Sequence, residues 1–278
     1  MSKPLRIVII DCYDTDGQLG LQRSGATLGG RLYQKLLDAL VPDAQTEIYN
    51  IALLDPDPLG PEKYDGACWT GSNLFLSADN PASASHINLC HAFFDRGIPQ
   101  FGSCWGAQLA CATAGGTIEA NPLGREFGYI TDIVKTEAGK AHPMLQGKPD
   151  RYACFASHRD SITVLPEQTL VLSGNAHSAV QSLDVRFLNG HFWATQYHSE
   201  YDYAEMSRLA QTRKQALVND GVFAVEADVD LFSDELSAYQ SDTGRNDLEI
   251  KHRFDPAMRH PEANAHELKN WLAHFFDR

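Results

Sequence analysis

The stretch Phe101-Gly102-Ser103-Cys104-Trp105-Gly106-Ala107-Gln108 changes character at its fourth residue. Residues 98–102 (IPQFG) are short and largely apolar and read as a strand. Residues 105–114 (WGAQLACATA) are small and apolar and stop at Gly115-Gly116, as a packed helix does. A strand thus passes into a helix within two residues, with a cysteine on the bend. Glycine two residues before and two after Cys104 suits a backbone too crowded for side chains. Joints this short between strand and helix predict an α/β fold with a mainly parallel central sheet flanked by helices.

The flanking sequence alternates in the same way. Residues 6–11 (RIVIID) read as a buried parallel strand. Leu32, Leu36, Leu37 and Leu40 then repeat at helical spacing until Pro42. Residues 46–51 and 64–70 are further strands, the second running into the turn Gly71-Ser72-Asn73, and Ile87, Cys90 and Phe94 mark a helix that Gly97 ends. Between 127 and 197 the texture turns to short extended segments, at 128–135, 151–155, 168–173, 179–187 and 192–197. A small antiparallel portion with a hairpin near Asn189 is expected there. Residues 203–218 form a charged helical stretch, and 220–249 hold nine acids and one base, which reads as a solvated acidic excursion. Leu268, Trp271, Leu272, Phe275 and Phe276 restore an amphipathic helix that should pack back on the main body. The expected organisation is one catalytic domain, 1–202 plus 261–278, with 203–260 as an acidic, largely helical insertion.

Composition narrows the class. At 43% hydrophobic and 21% charged, the 278 residues can bury a real core, which excludes disorder and a small disulfide scaffold. A net charge of −13 without a basic run argues against nucleic acid as partner. The apolar run at 5–10 is broken by Arg6 and is too short for an export signal or a membrane span, so a cytoplasmic, reducing compartment is expected. The six cysteines form no CxxC pair, and five of them read as small buried residues. No metal or other cofactor is expected, and no GxxxxGK[ST] or GxGxxG segment occurs.

Cys104 is the sixth. A tight strand-to-helix turn lifts a nucleophile out of the sheet edge, and helix amides pointing at the sulfur favour the attacking thiolate. The same string also fits a cysteine packed beneath a strand–helix joint. A thiolate nucleophile needs a base held by a third group. Of eleven histidines, His198 stands just past the strand 192–197 and has Glu200 two residues on, where alternation along an extended chain would bring the carboxylate to the ring. A surface His–Glu pair is the alternative. His86, His91, His252, His260, His266 and His274 read as solvent-facing, and His142, before Pro143, as undecided.

These residues resemble the class I glutamine amidotransferases, with similarity to the amidotransferase part of GMP synthase in a free-standing form. Gly102, Cys104, Gly106 and Gln108 match the family's G-x-C-x-G-x-Q elbow, and His198 with Glu200 matches its closing H-x-E. More diffuse likeness lies in Arg125-Glu126-Phe127-Gly128, Ser157-His158-Arg159-Asp160 and Ala179-Val180-Gln181-Ser182. The resemblance implies a flavodoxin-like fold of that family and a Cys104–His198–Glu200 triad. It further implies an oxyanion hole made by the amides of Gly71 and Trp105, and substrate contacts from Gln108, Ser72, His158 and Arg159. His158 could equally be structural. Ser199 stands where the family has proline, and Arg159 where glycine is common.

With no synthetase or phosphate-binding segment, only the hydrolytic half of an amidotransferase is present. The expected activity is hydrolysis of glutamine or a γ-glutamyl amide or peptide through a cysteine thioester. The alternatives are a silent binding module of the same fold and a glutaminase that delivers ammonia to a separate synthase partner.

Overall fold

Ile7 to Asp11 are buried on both faces, and this puts their strand in the middle of a sheet. A computed structural model describes residues 3–51, 59–76 and 81–278. In it Arg6–Asp11 (β1) pairs in parallel with Gln45–Asn50 (β2) on one side and Gly66–Trp69 (β3) on the other. Gln100–Ser103 (β4) follows β3 in parallel. The remaining strands are Thr117–Ala120 (β5), Glu126–Lys135 (β6), Arg151–His158 (β7), Asp160–Val164 (β8), Thr169–Gly174 (β9), Ser182–Phe187 (β10) and Gly190–Thr195 (β11). β11 lies parallel to β4, and from it the sheet continues antiparallel, giving the order β2-β1-β3-β4-β11-β10-β9-β6-β7. β5 and β8 form a separate two-stranded ribbon. The tight hairpin joining β10 to β11 turns at Leu188-Asn189, as the sequence predicts.

Helices cover both faces. Thr15–Arg23 (α1), Gly29–Leu40 (α2), Pro81–Asp95 (α3), Trp105–Thr113 (α4) and Glu137–Ala141 (α5) accompany the strands. Tyr203–Thr212 (α6), Lys214–Asn219 (α7), Glu226–Ser241 (α8), Asn246–His252 (α9), Pro261–Asn264 (α10) and His266–Phe276 (α11) follow the last strand. α1 has no counterpart in the sequence reading. Its segment TDGQLGLQR contains two glycines and buries only Leu21, so no apolar stripe announces it, and Asp14 starts it by accepting the Gly17 amide. β5 and β8 escape for a similar reason, each turning little more than one isoleucine inward, Ile118 and Ile162.

The acidic stretch is more ordered than its charge suggests. Along α8, Val229, Ser233, Leu236 and Tyr239 are buried at helical spacing, while the acids occupy the other face. Tyr239 packs with Tyr203 and Phe254, and Tyr203 packs in turn with Tyr129 and with Phe155 on β7. No helix among the described residues is long and apolar enough to cross a membrane.

The carboxyl ends of β1, β3, β4 and β11 converge on one side of the sheet, where parallel α/β sheets hold their ligands. On one face of the sheet α11 packs against Ile7, Cys68 and Trp193, its Trp271 ring 6.0 Å from Phe101 of β4. Trp271→Ala would leave a cavity behind that strand and is expected to cost about 3–5 kcal/mol in urea unfolding. A loss below about 1 kcal/mol, the size of a typical surface change, would mean that α11 contributes little to holding the sheet.

Candidate active site

Cys104 joins β4 to α4 with φ 53° and ψ −104°, a backbone conformation that L residues rarely adopt and that costs on the order of 1–3 kcal/mol. Its amide donates to the Thr195 carbonyl of β11 at 2.7 Å, and its own carbonyl accepts from Ala107 and Gln108. Both flanking glycines are demanded by contact. A Cβ on Gly102 would stand 3.0 Å from the Phe192 ring, and one on Gly106 would stand 3.1 Å from the Trp69 carbonyl. Trp105 opens α4, so its amide has no acceptor within the helix.

His198 arrives from β11 and is fixed by a 2.8 Å hydrogen bond from its amide to the Phe155 carbonyl. Its Nδ1 donates to Glu200 Oε1 at 2.6 Å, and the Cys104 thiol, close enough to act on the ring, donates to the Ser157 carbonyl at 3.6 Å. Glu200 reaches the ring through a turn after the strand rather than by strand alternation. The same Oε1 accepts from Ser103 Oγ at 2.8 Å, and Ser103 Oγ accepts from Tyr33 of α2 at 3.0 Å. A chain of hydroxyls therefore fixes the carboxylate from behind. Tyr201 stacks flat on the imidazole at 4.2 Å. Burial alone would lower the His198 pKa, but the Glu200 charge and the hydrogen bonds outweigh it and push the group up to about 9.

The turn after β3 lies against this pair. A Cβ on Gly71 would stand 3.1 Å from His198 Cε1 and 3.8 Å from Cys104 Cβ, so only glycine lets the backbone come this close. Ser72 shapes the turn, donating to the Cys12 carbonyl at 2.7 Å and accepting from the Leu74 amide at 3.0 Å.

Ser72, Gln108, His158 and Arg159 line one narrow, partly open cleft with Cys104 and Trp105. Gln108 donates from Nε2 to the Asp160 carbonyl and to Gln196 Oε1. His158 is held on both sides, Nε2 at 2.8 Å from Glu126 Oε2 and Nδ1 at 3.0 Å from the Asp160 carbonyl. Burial would raise the Glu126 carboxyl, yet hydrogen bonds from His158, Asn175 and Gln181 hold it below the usual range. The Arg159 guanidinium lies 3.9 Å over the Phe75 ring, with Nε 3.3 Å from Asp160 Oδ1.

Several groups at the site are absent from the sequence reading. Arg125 and Arg213 also line the cleft, and Arg213 approaches the Tyr13 hydroxyl. Tyr13 follows directly on β1, a position that the strand-end rule could have flagged. Arg213 sits in a charged helical stretch where nothing distinguishes it from Arg208 or Lys214. His86, read as solvent-facing, is instead buried with its ring edge-on to Trp105 at 4.8 Å, because α3 turns that face onto α4. His91, His260 and His274 are exposed, whereas His252 and His266 are half-buried.

The family pattern described as Glutamine amidotransferase class-I matches residues 73–212. The chain is 26% identical over 276 residues to a γ-glutamyl-L-1-hydroxyisopropylamide hydrolase from Pseudomonas sp, spanning 97% of this chain and 92% of that one. It is 31% identical over 118 residues to a glutamine-hydrolyzing GMP synthase subunit from Methanoculleus marisnigri, which amounts to 42% of this chain and 60% of that protein. Against the GMP synthase of Clostridium kluyveri it spans 26% of the relative's length, at 25% identity over 143 residues. The crystal structure of a glutamine amidotransferase from Thermotoga maritima superposes with a TM-score of 0.67 at 15% identity, each chain covered in full. One from Methylobacillus flagellatus gives 0.60 at 16%, covering 97% of this chain and 96% of its own. With the family pattern reaching across half of its length, this chain belongs to the class I glutamine amidotransferases.

Proposed function

We propose that this protein hydrolyses the γ-amide bond of a γ-glutamyl amide through a thioester on Cys104. The observation that supports the reading is His198, hydrogen-bonded to the Glu200 carboxylate and close to Cys104, which itself sits on a strained strand-to-helix bend. A proton held on His198 leaves sulfur as the thiolate that attacks the γ-carbonyl carbon. The tetrahedral oxyanion is met by the amides of Trp105 and Gly71, donors commonly worth about 3 kcal/mol each. The imidazolium then protonates the leaving nitrogen, the C–N bond breaks, and the amine departs. The neutral ring next takes a proton from water, whose oxygen attacks the thioester; sulfur leaves, and the γ-carboxylate of glutamate is released. Glu200 holds the imidazole and balances its charge throughout. Ser72, Gln108, His158 and Arg159 form the wall against which the glutamyl chain lies.

An amide bearing a substituent on nitrogen is favoured over glutamine as an ammonia source. Similarity to the Pseudomonas hydrolase runs over 97% of the chain, including the helices after Glu200, whereas the Methanoculleus GMP synthase protein matches 42%. Turnover of γ-glutamyl alkylamides by the purified chain alone supports this reading. Turnover of glutamine only when a synthase partner is added would assign it the ammonia-delivering role instead.

Cys104→Ala and Cys104→Ser are expected to lower kcat by more than about a thousandfold with the fold retained. A glutamine-mimicking chloroketone should label Cys104 alone. The other five thiols are at most 1% exposed against 6% for Cys104, and burial pushes Cys111 and Cys154 up to about 12. Mass spectrometry finding the label on Cys12 or Cys154 would remove Cys104 from its role.

The raised pKa of His198 sets a pH limit. Because the protonated ring is the competent form, kcat/KM should hold below pH 9 and fall as pH rises through about 9. Glu200→Gln removes the charge that raises the group, leaving burial to lower it, so this alkaline limb should move down by about 1–3 pH units. A limb unmoved in that variant would show that another group controls it.

A further inference from the structure

We propose that Arg213 anchors the α-carboxylate of the γ-glutamyl group. The helices after Glu200 would thus contribute a specificity residue of their own; this rests on the γ-glutamyl reading above. Three guanidinium groups line the cleft that opens on Cys104, and they differ in what already neutralises them. Arg125 is paired with Asp220 at 2.7 Å, and Arg159 lies 3.3 Å from Asp160 while stacking on Phe75. Arg213 makes no ion pair with a carboxylate among the described residues; its side-chain contact is the Tyr13 hydroxyl, at 3.5 Å. With no carboxylate beside it among the described residues, this partly buried guanidinium keeps donors for an anion that enters the cleft. A planar carboxylate entering there matches the fork of donors in the bidentate geometry arginine favours.

A γ-glutamyl chain sets where such an anchor must stand. Its α-carboxylate carbon is four bonds from the carbonyl carbon that sulfur attacks, so the anchor must sit near the nucleophile without touching it. Arg213 lines the same cleft as Cys104, and no hydrogen bond joins the two among the described residues.

The guanidinium is also delivered rigidly. Arg213 is at once the last cap of α6 and the first of α7. α6 is tied to the N-terminal part of the chain by Glu205, which accepts from the Thr27 amide at 3.0 Å and from its hydroxyl at 2.6 Å, and by a hydrogen bond between the Thr212 and Ser24 hydroxyls. On its other side Ser207 bonds Ser233 of α8 at 2.8 Å. A site on packed helices holds its geometry better than one on a loop.

The test compares ligands that differ only in the proposed contact. L-glutamate and 4-aminobutyrate, which is glutamate without its α-carboxylate, are titrated calorimetrically into wild type, Arg213→Ala and Arg213→Lys. In parallel, kcat/KM is measured on γ-glutamyl ethylamide, 4-aminobutyryl ethylamide and γ-glutamylglycine. Arg213→Ala should weaken L-glutamate binding and lower kcat/KM on both γ-glutamyl substrates by about 10- to 100-fold, chiefly through KM, with Arg213→Lys recovering part of it. The two 4-aminobutyryl ligands, already poor, should change less than about threefold, since the contact is missing from them. Equal losses on both ethylamides would overturn the proposal, because Arg213 would then act on Cys104, His198 or the fold. So would a loss confined to γ-glutamylglycine, which would assign Arg213 to the leaving amine, or wild-type protein that does not bind L-glutamate. Glutamate binding that depends on Arg213, with no γ-glutamyl amide turned over, would sink the hydrolase reading and leave the anchor standing.

Discussion

The backbone at Cys104 is the constraint around which the rest is arranged. An L residue at φ 53° and ψ −104° is unstable by itself and persists because its neighbours leave no alternative. β11 takes its amide, the first turn of α4 takes its carbonyl, and close contact with Phe192 and Trp69 leaves Gly102 and Gly106 little room for a side chain. Each of those partners is itself central to the sheet or its cover. Strain at one residue is thus met by the cooperative packing of β3, β4, β11 and α4, and the sulfur emerges at the strand ends rather than beneath them.

Around that bend the charges are sorted by partner. Two imidazole–carboxylate pairs lie within one cleft wall of each other, yet they are built for different work. His158 is gripped by acceptors on both nitrogens, with Glu126 further occupied by Asn175 and Gln181, which makes a rigid brace. His198 has one nitrogen committed to Glu200 and the other side turned toward Cys104. The asymmetry separates a ring held on both sides from one that, in the proposed mechanism, passes a proton. Tyr33 and Ser103 extend the second pair into α2, so the helix that leads into β2 contributes to orientation through a hydroxyl relay.

Much of this was legible in the chain because it rests on short-range signals. A β-branched run, leucines at helical spacing and glycines about a cysteine located β1, α2, and the joint of β4 with α4. Where reading failed, the missing information was tertiary. α1 has two glycines and one buried leucine, and its existence depends on a cap and on packing with α6. In α8 the abundance of acids masked four inward residues, since composition counts charge without regard to face. His86 looked polar and exposed until α3 packed its edge on Trp105. Arg213 was the least visible of all, because only the junction of α6 with α7 determines which of several neighbouring cations turns inward.

The contact of Trp271 with Phe101 has a bearing on biosynthesis. Translation completes the strand bearing Cys104, and even the turn bearing Glu200, well before it reaches Trp271. A nascent chain in that interval already carries Cys104, His198 and Glu200, while α11 has yet to join α2 on the face that holds Cys68, Phe101 and Trp193. Packing of the strand that leads to Cys104 is thus finished by one of the last segments to be made.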